Sequence, residues 1–184
     1  RDLVRSRGLG DVYKRQVDYA LTLTTQHGDF YPLIRKAFED AGVIFVILPN
    51  LPGSGINGAT KKIGQNVMLM VNDRRFYSDT FWFTLFHEIG HIINGDYGIT
   101  FENEHAGQED AADKYAEDKL IPPGEYEAFV RMNEFSENAI RRFAERIDRD
   151  PGIVLGRLQN DQIVPFTNVA LSKALKHKYK VITS

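Results

Sequence analysis

The chain has 184 residues, no cysteine, a formal net charge of −2, 42% hydrophobic and 26% charged residues. These values fit one well-cored globular domain with at most a small appendage, and they exclude disulfides and thiolate metal sites. The near-neutral balance gives no general drive toward nucleic acid or an anionic membrane, and no apolar run approaches spanning length, so a cytoplasmic location is the default expectation.

Residues 1–16 (RDLVRSRGLGDVYKRQ) are basic, interrupted by glycine and without a sustained apolar period. Their ending, DVYKRQ, resembles translated adaptor sequence, so they are expected to be a non-native or disordered arm, with one domain over 17–184. From Tyr31 to Ala41, Leu33, Ile34, Ala37, Phe38 and Ala41 recur at helical spacing, with Pro32 suited to a first turn and Gly42 to the stop. The β-branched run Val43–Leu48 reads as a buried strand. The Gly, Pro and Asn of 49–58 read as a loop, and Asn66–Val71 as a second strand that a short one near Ala59–Lys62 can pair.

Residues 79–94 (DTFWFTLFHEIGHIIN) carry the chemistry. Placed on a helix, Phe81, Trp82, Leu85, Phe86, Ile89, Ile92 and Ile93 fill one broad arc, and His87, Glu88 and His91 take the other side. Ser78 or Asp79 suits the start and Gly95 a left-handed end. His87 and His91 are four apart, about one turn, which lets two imidazoles reach one zinc ion; Glu88 stands where a general base for a metal-activated water belongs. A chance HExxH turns up in on the order of one chain in a hundred, so the motif needs a third ligand to carry weight.

After the polar stretch 95–107, Gln108–Ile121 reads as a helix stopped by Pro122 and Pro123. Its apolar stripe is Ala112, Tyr115, Ala116 and Leu120, while Asp110, Glu117, Asp118 and Lys119 read as a solvated face. Glu109 and Asp113 fall on the stripe, where a carboxylate is costly to bury unless paired or metal-bound. Glu109 is therefore the expected third metal ligand and Asp113 the carboxylate that holds a liganding histidine from behind, the gluzincin way of completing HExxH. His105, Asp96, Glu102 and Glu104 remain rival ligands. Tyr97, His105 and Tyr115 are the candidates for oxyanion support. Helices are expected over Glu125–Met132, Glu137–Ile147, Asp150–Gln159 and Asn168–Lys178. Lys173, Lys176, Lys178 and Lys180 read as a solvated helix end, and 136–160, with acids and arginines interleaved, as packed helices rather than a DNA-reading pair. The class is α+β: a small sheet, a central HExxH helix and a mainly helical second half.

FWFTLFHEIGHIING followed by EDAADKYAEDKLIPP resembles the ImmA/IrrE family of zinc metallopeptidases, with Glu109, Ala112, Tyr115, Ala116, Ile121 and Pro122 at the family's positions and Ala111 where many relatives carry a second acid. AGVIFVILPNLPGSGINGAT and PGIVLGRLQNDQIVP extend the likeness, over roughly 30–180, to members fused behind a Cro/repressor-type helix-turn-helix and described as HigA-like antitoxins. The resemblance implies a zincin-like domain, a bound Zn2+, and cleavage of one specific protein, typically a helix-turn-helix repressor. It implies DNA contact only through a domain preceding residue 17, and no membrane. The alternative it leaves is a non-proteolytic, metal-binding regulatory or antitoxin domain that binds a protein partner such as a toxin.

Overall fold

The computed structural model describes residues 14–26, 28, 30–49, 55–73, 77–101 and 107–179, apart from the side chains of 49, 73, 101 and 107–109. The chain is α+β, with eight helices and one four-stranded mixed sheet among these residues. In chain order they are α1 (14–23), α2 (Tyr31–Asp40), β1 (Val43–Pro49), β2 (Ile56–Ile63), β3 (Asn66–Asp73), α3 (Ser78–Asn94), β4 (Ile99–Phe101), α4 (Gly107–Leu120), α5 (Pro123–Arg131), α6 (Glu137–Arg146), α7 (Pro151–Asn160) and α8 (Val169–Leu175). No helix among the described residues is long and apolar enough to cross a membrane.

The sheet order is β1-β3-β2-β4, with β1 parallel to β3 and the other pairs antiparallel. A two-residue loop with Gly64 at φ 62 joins β2 to β3, as a tight hairpin requires. Alternation sets the faces. Val43, Phe45 and Ile47 pair with Val67, Leu69 and Val71, and all six are buried in the core shared with the helices. The same inward row runs from Val71 through Gly58 to Thr100. Residues 56–58 therefore belong to a strand, not to the loop expected from their composition. A register shift between Ile56 and Gly58 in the β2–β4 pairing marks a bulge at this edge.

Helix α3 lies on this sheet. Phe81, Trp82, Leu85, Phe86, Ile89 and Ile92 are buried, whereas Ile93, expected in the same arc, is half-exposed near the helix end. Gly95 closes the helix at φ 78. Its start differs from expectation: Tyr77 is the N-cap and supplies no side-chain bond, while Ser78 and Asp79 are already helical and buried. Side-chain capping is found at other helix starts, where the N-cap residue carries a short polar side chain. Ser136 accepts from Ala139 N before α6, Asp150 from Gly152 N before α7, and Asn168 from Leu171 N before α8.

The last helix ends at Leu175, three residues short of the expected Lys178. From Lys176 the chain is extended and runs across the start of α3: Ser78 N donates to His177 O at 2.9 Å and Tyr77 bridges Lys178. Lys176 is thus no solvated helix end; its ammonium sits 2.7 Å from Asp79 Oδ2 with both side chains largely buried. Glu117 is likewise turned inward, 3.2 Å from Arg157, rather than solvated. Helix α1, with Val17, Ala20 and Leu23 in the core and Gln16 donating to Ala37 O at 3.0 Å, was not anticipated.

Candidate metal centre

His87, Glu88 and His91 sit in the middle of α3, His87 and His91 each 6% exposed and Glu88 fully buried. His87 Nδ1 is 2.7 Å from Asp113 Oδ1 on α4. A carboxylate there favours the tautomer in which His87 Nδ1–H donates to Asp113, with the Nε2 lone pair aimed away from it. His91 Nε2 lies 3.0 Å from His87 Nε2. Two imidazole nitrogens bound tetrahedrally to one zinc would stand about 3.3 Å apart. The pair is therefore within a few tenths of an ångström of the spacing two ligands of one zinc require.

Three contacts give α3 and α4 an antiparallel register. Gly90 lies against Ala112, His87 against Asp113, and Phe83 shares a cavity with Glu117 and Leu120. That register brings position 109, one turn before Asp113, to the level of His91 on α3. The Glu109 side chain lies outside the described residues, as do the rival ligands His105, Glu102 and Glu104. Among the described residues no group of three or more acidic or histidine side chains could hold a metal ion. The histidine pair and Asp113 come together; the third ligand rests on position alone.

Glu88 is held by the sheet. A Cβ placed on Gly58 would come within 2.6 Å of the Glu88 Cδ and 2.7 Å of its Cγ, so the carboxylate occupies the volume a side chain at 58 would fill. Nothing in the sequence reading pointed to Gly58, which lies in a stretch of glycines that reads as turn. Phe83, one turn before His87, is half-buried, packs against the edge of the core and has its ring centroid 6.3 Å from the imidazole. Burial, with a smaller contribution from Asp18, pushes the Tyr115 phenol up to about 12 and keeps it an O–H donor at neutral pH. Tyr97 is exposed, and His105 lies outside the described residues.

Compared with models of protein families, with curated proteins and with solved structures, the chain matches none.

Proposed function

We propose that this chain is a zinc-dependent peptidase that hydrolyses a peptide bond in one specific protein, with a helix-turn-helix repressor as the target class and a zincin-like, ImmA/IrrE-type domain as its framework. The observation that carries the reading is the His87 ring, bracketed by Asp113 at 2.7 Å and His91 at 3.0 Å. That arrangement suits a metal-binding imidazole anchored through its far nitrogen. His87, His91 and Glu109 would hold the ion, with Asp113 fixing the His87 ring. When bound, zinc supplies Lewis acidity toward a water molecule and a carbonyl oxygen. Glu88 accepts the proton of the attacking water at its carboxylate and returns it to the departing amine. Gly58 supports this role because it leaves the Glu88 carboxylate a fixed place against the sheet.

One observation favours the alternative, a metal-stabilised domain that binds a protein partner and cuts nothing. Both histidines and Glu88 are almost wholly buried, whereas a catalytic zinc keeps an open position. Zinc content and cleavage together separate the two. The parent should hold about one zinc per chain, and Glu109→Ala far less. The parent should also cut a co-purified repressor that Glu88→Gln, still zinc-loaded, leaves intact. Zinc in both with cleavage by neither selects the partner-binding domain, and full zinc in Glu109→Ala moves the third ligand to another residue.

A further inference from the structure

A cavity of ≈ 180 Å³ opens between α3, α4 and α7. Phe83, Leu120, Ile121 and Ile153 give it an apolar lining, and Phe166, 67% exposed, stands at it. The charges around it are matched within the wall: Asp79 with Lys176 at 2.7 Å, Glu117 with Arg157 at 3.2 Å. An ionic ligand therefore finds no uncompensated charge to meet, and the free energy available is apolar burial. An apolar cavity of roughly 150 Å³ is enough for a benzene molecule, so this one has room for a single side chain of leucine to phenylalanine size. A large aromatic ring left in water beside such a cavity is the kind of surface that binding covers.

Its position relates it to the histidines. Phe83 precedes His87 by four residues on α3, and Glu117 follows Asp113 by four on α4. The cavity is thus the continuation, one helical turn along, of the α3–α4 groove in which His87 meets Asp113. A turn rises about 5.4 Å, while an extended peptide advances about 3.3 Å per residue. By that measure, a side chain one or two residues from a bond held at the histidines would stand level with the cavity.

We infer that this cavity binds one apolar side chain of a polypeptide and so selects a leucine-, methionine- or phenylalanine-sized residue beside the bond presented to His87 and His91. The inference rests on the peptidase reading for the word "bond" but not for the binding itself. The test uses the full chain with zinc added and N-acetyl-leucinamide, N-acetyl-phenylalaninamide and N-acetyl-alaninamide as probes, followed by amide NMR. The first two should shift the signals of Phe83, Leu120 and Ile153 and bind about tenfold more tightly than the alanine probe. Thr80→Phe, which fills the cavity from a partly buried wall position, should abolish those shifts. Phe166→Ala, at an exposed position where folding is not at stake, should weaken binding several-fold. Absent shifts in the parent, or undiminished binding to Thr80→Phe, overturn the inference. In a peptide library, Thr80→Phe should move the preference toward alanine-sized residues. Binding without any zinc-dependent cleavage upholds the cavity as a polypeptide site and removes the peptidase reading. Cleavage with an unchanged residue preference in both variants upholds the peptidase and removes the role of the cavity.

Discussion

Gly90 of α3 lies bare against Ala112 of α4: a Cβ on Gly90 would stand 3.1 Å from the Ala112 Cα and 3.4 Å from its Cβ. The neighbour is backbone, so it has no rotamer with which to move aside. Ala112 is followed directly by Asp113, whose carboxylate reaches His87 at 2.7 Å. The bare contact therefore sets the distance at which Asp113 can hold the imidazole. Gly90→Ala would gain up to about 1 kcal/mol in helix propensity, but overpacking a tight contact costs about 1–3 kcal/mol. The variant should melt below the parent, by a few degrees. A melting curve at or above that of the parent would show that α4 can shift freely.

The Gly58–Glu88 contact is tighter and acts on a different step. Gly58→Ala cannot be absorbed without moving the Glu88 carboxylate, since the new Cβ would approach its Cδ to 2.6 Å. His87 and His91 do not lean on Gly58 in this way. On the proposed peptidase reading, the expected outcome is a chain that binds zinc as the parent does but hydrolyses a target about 10²- to 10⁴-fold more slowly, the range over which a general base acts. Zinc content and single-turnover cleavage, measured on the same preparation, check it. Equal loss of both would place Gly58 in support of the fold rather than of Glu88.

Asp113 holds the ring that zinc would bind, and its own side chain is 40% exposed. Exposure makes Asp113→Asn tolerable to the fold, and the amide removes the charge that draws the proton to His87 Nδ1. Carboxylates in this position are worth about 10- to 100-fold in metal affinity. Competition against a chelator should show that loss with the melting temperature of the metal-free chain nearly unchanged. Unaltered zinc affinity would leave the His87–Asp113 pair with no part in metal binding.

What sequence conveys here is periodicity, and periodicity located most elements. Apolar spacing places α2, β1, β3, α3 and α4 within a residue or two of their ends, and the i,i+4 spacing of His87 and His91 is what brings their rings together. Contacts between distant segments leave no such trace. Gly58 reads as a turn residue because its neighbours are Asn57 and Gly55; only the sheet register puts it under Glu88. Lys176 reads as one of several lysines on a helix end, yet the chain leaves the helix just before it and carries it to Asp79. Glu117 is grouped with Asp110, Asp118 and Lys119 and reads as solvated, until α7 brings Arg157 against it.

The Asp79–Lys176 pair ties the end of the described chain to the first turn of α3. Its side chains are 8% and 14% exposed, and Asp79 Oδ1 accepts no hydrogen bond among the described residues, so Lys176 is the main compensation for that charge. Removing one member of a buried pair costs about 3–5 kcal/mol because the other charge stays desolvated. Lys176→Met should accordingly lower the melting temperature by roughly 6–20 °C. The double variant Asp79→Leu with Lys176→Met should recover most of the loss, since it leaves no unpaired charge. A single variant as stable as the parent would mean that water reaches Asp79.

Glu117 gives stability a dependence on pH whose sign follows from its surroundings. Burial raises its carboxyl above the ordinary 4.5, with Arg157 opposing part of that rise. A folded-state value above the unfolded one means that the folded chain binds the proton more tightly. That stabilisation is fully present below pH 4.5 and is lost as the pH rises through the raised folded value. Glu117→Gln is neutral throughout and lacks the step. Denaturation curves of the two proteins across the acidic range, subtracted, cancel the carboxylates they share. The parent should compare best with the variant at the acid end and lose ground as pH rises through the folded value, the difference then staying level to pH 8. A difference that moves in the parent's favour with rising pH would mean that the Arg157 pair outweighs burial, and that the ionised carboxylate is what this wall of the cavity prefers.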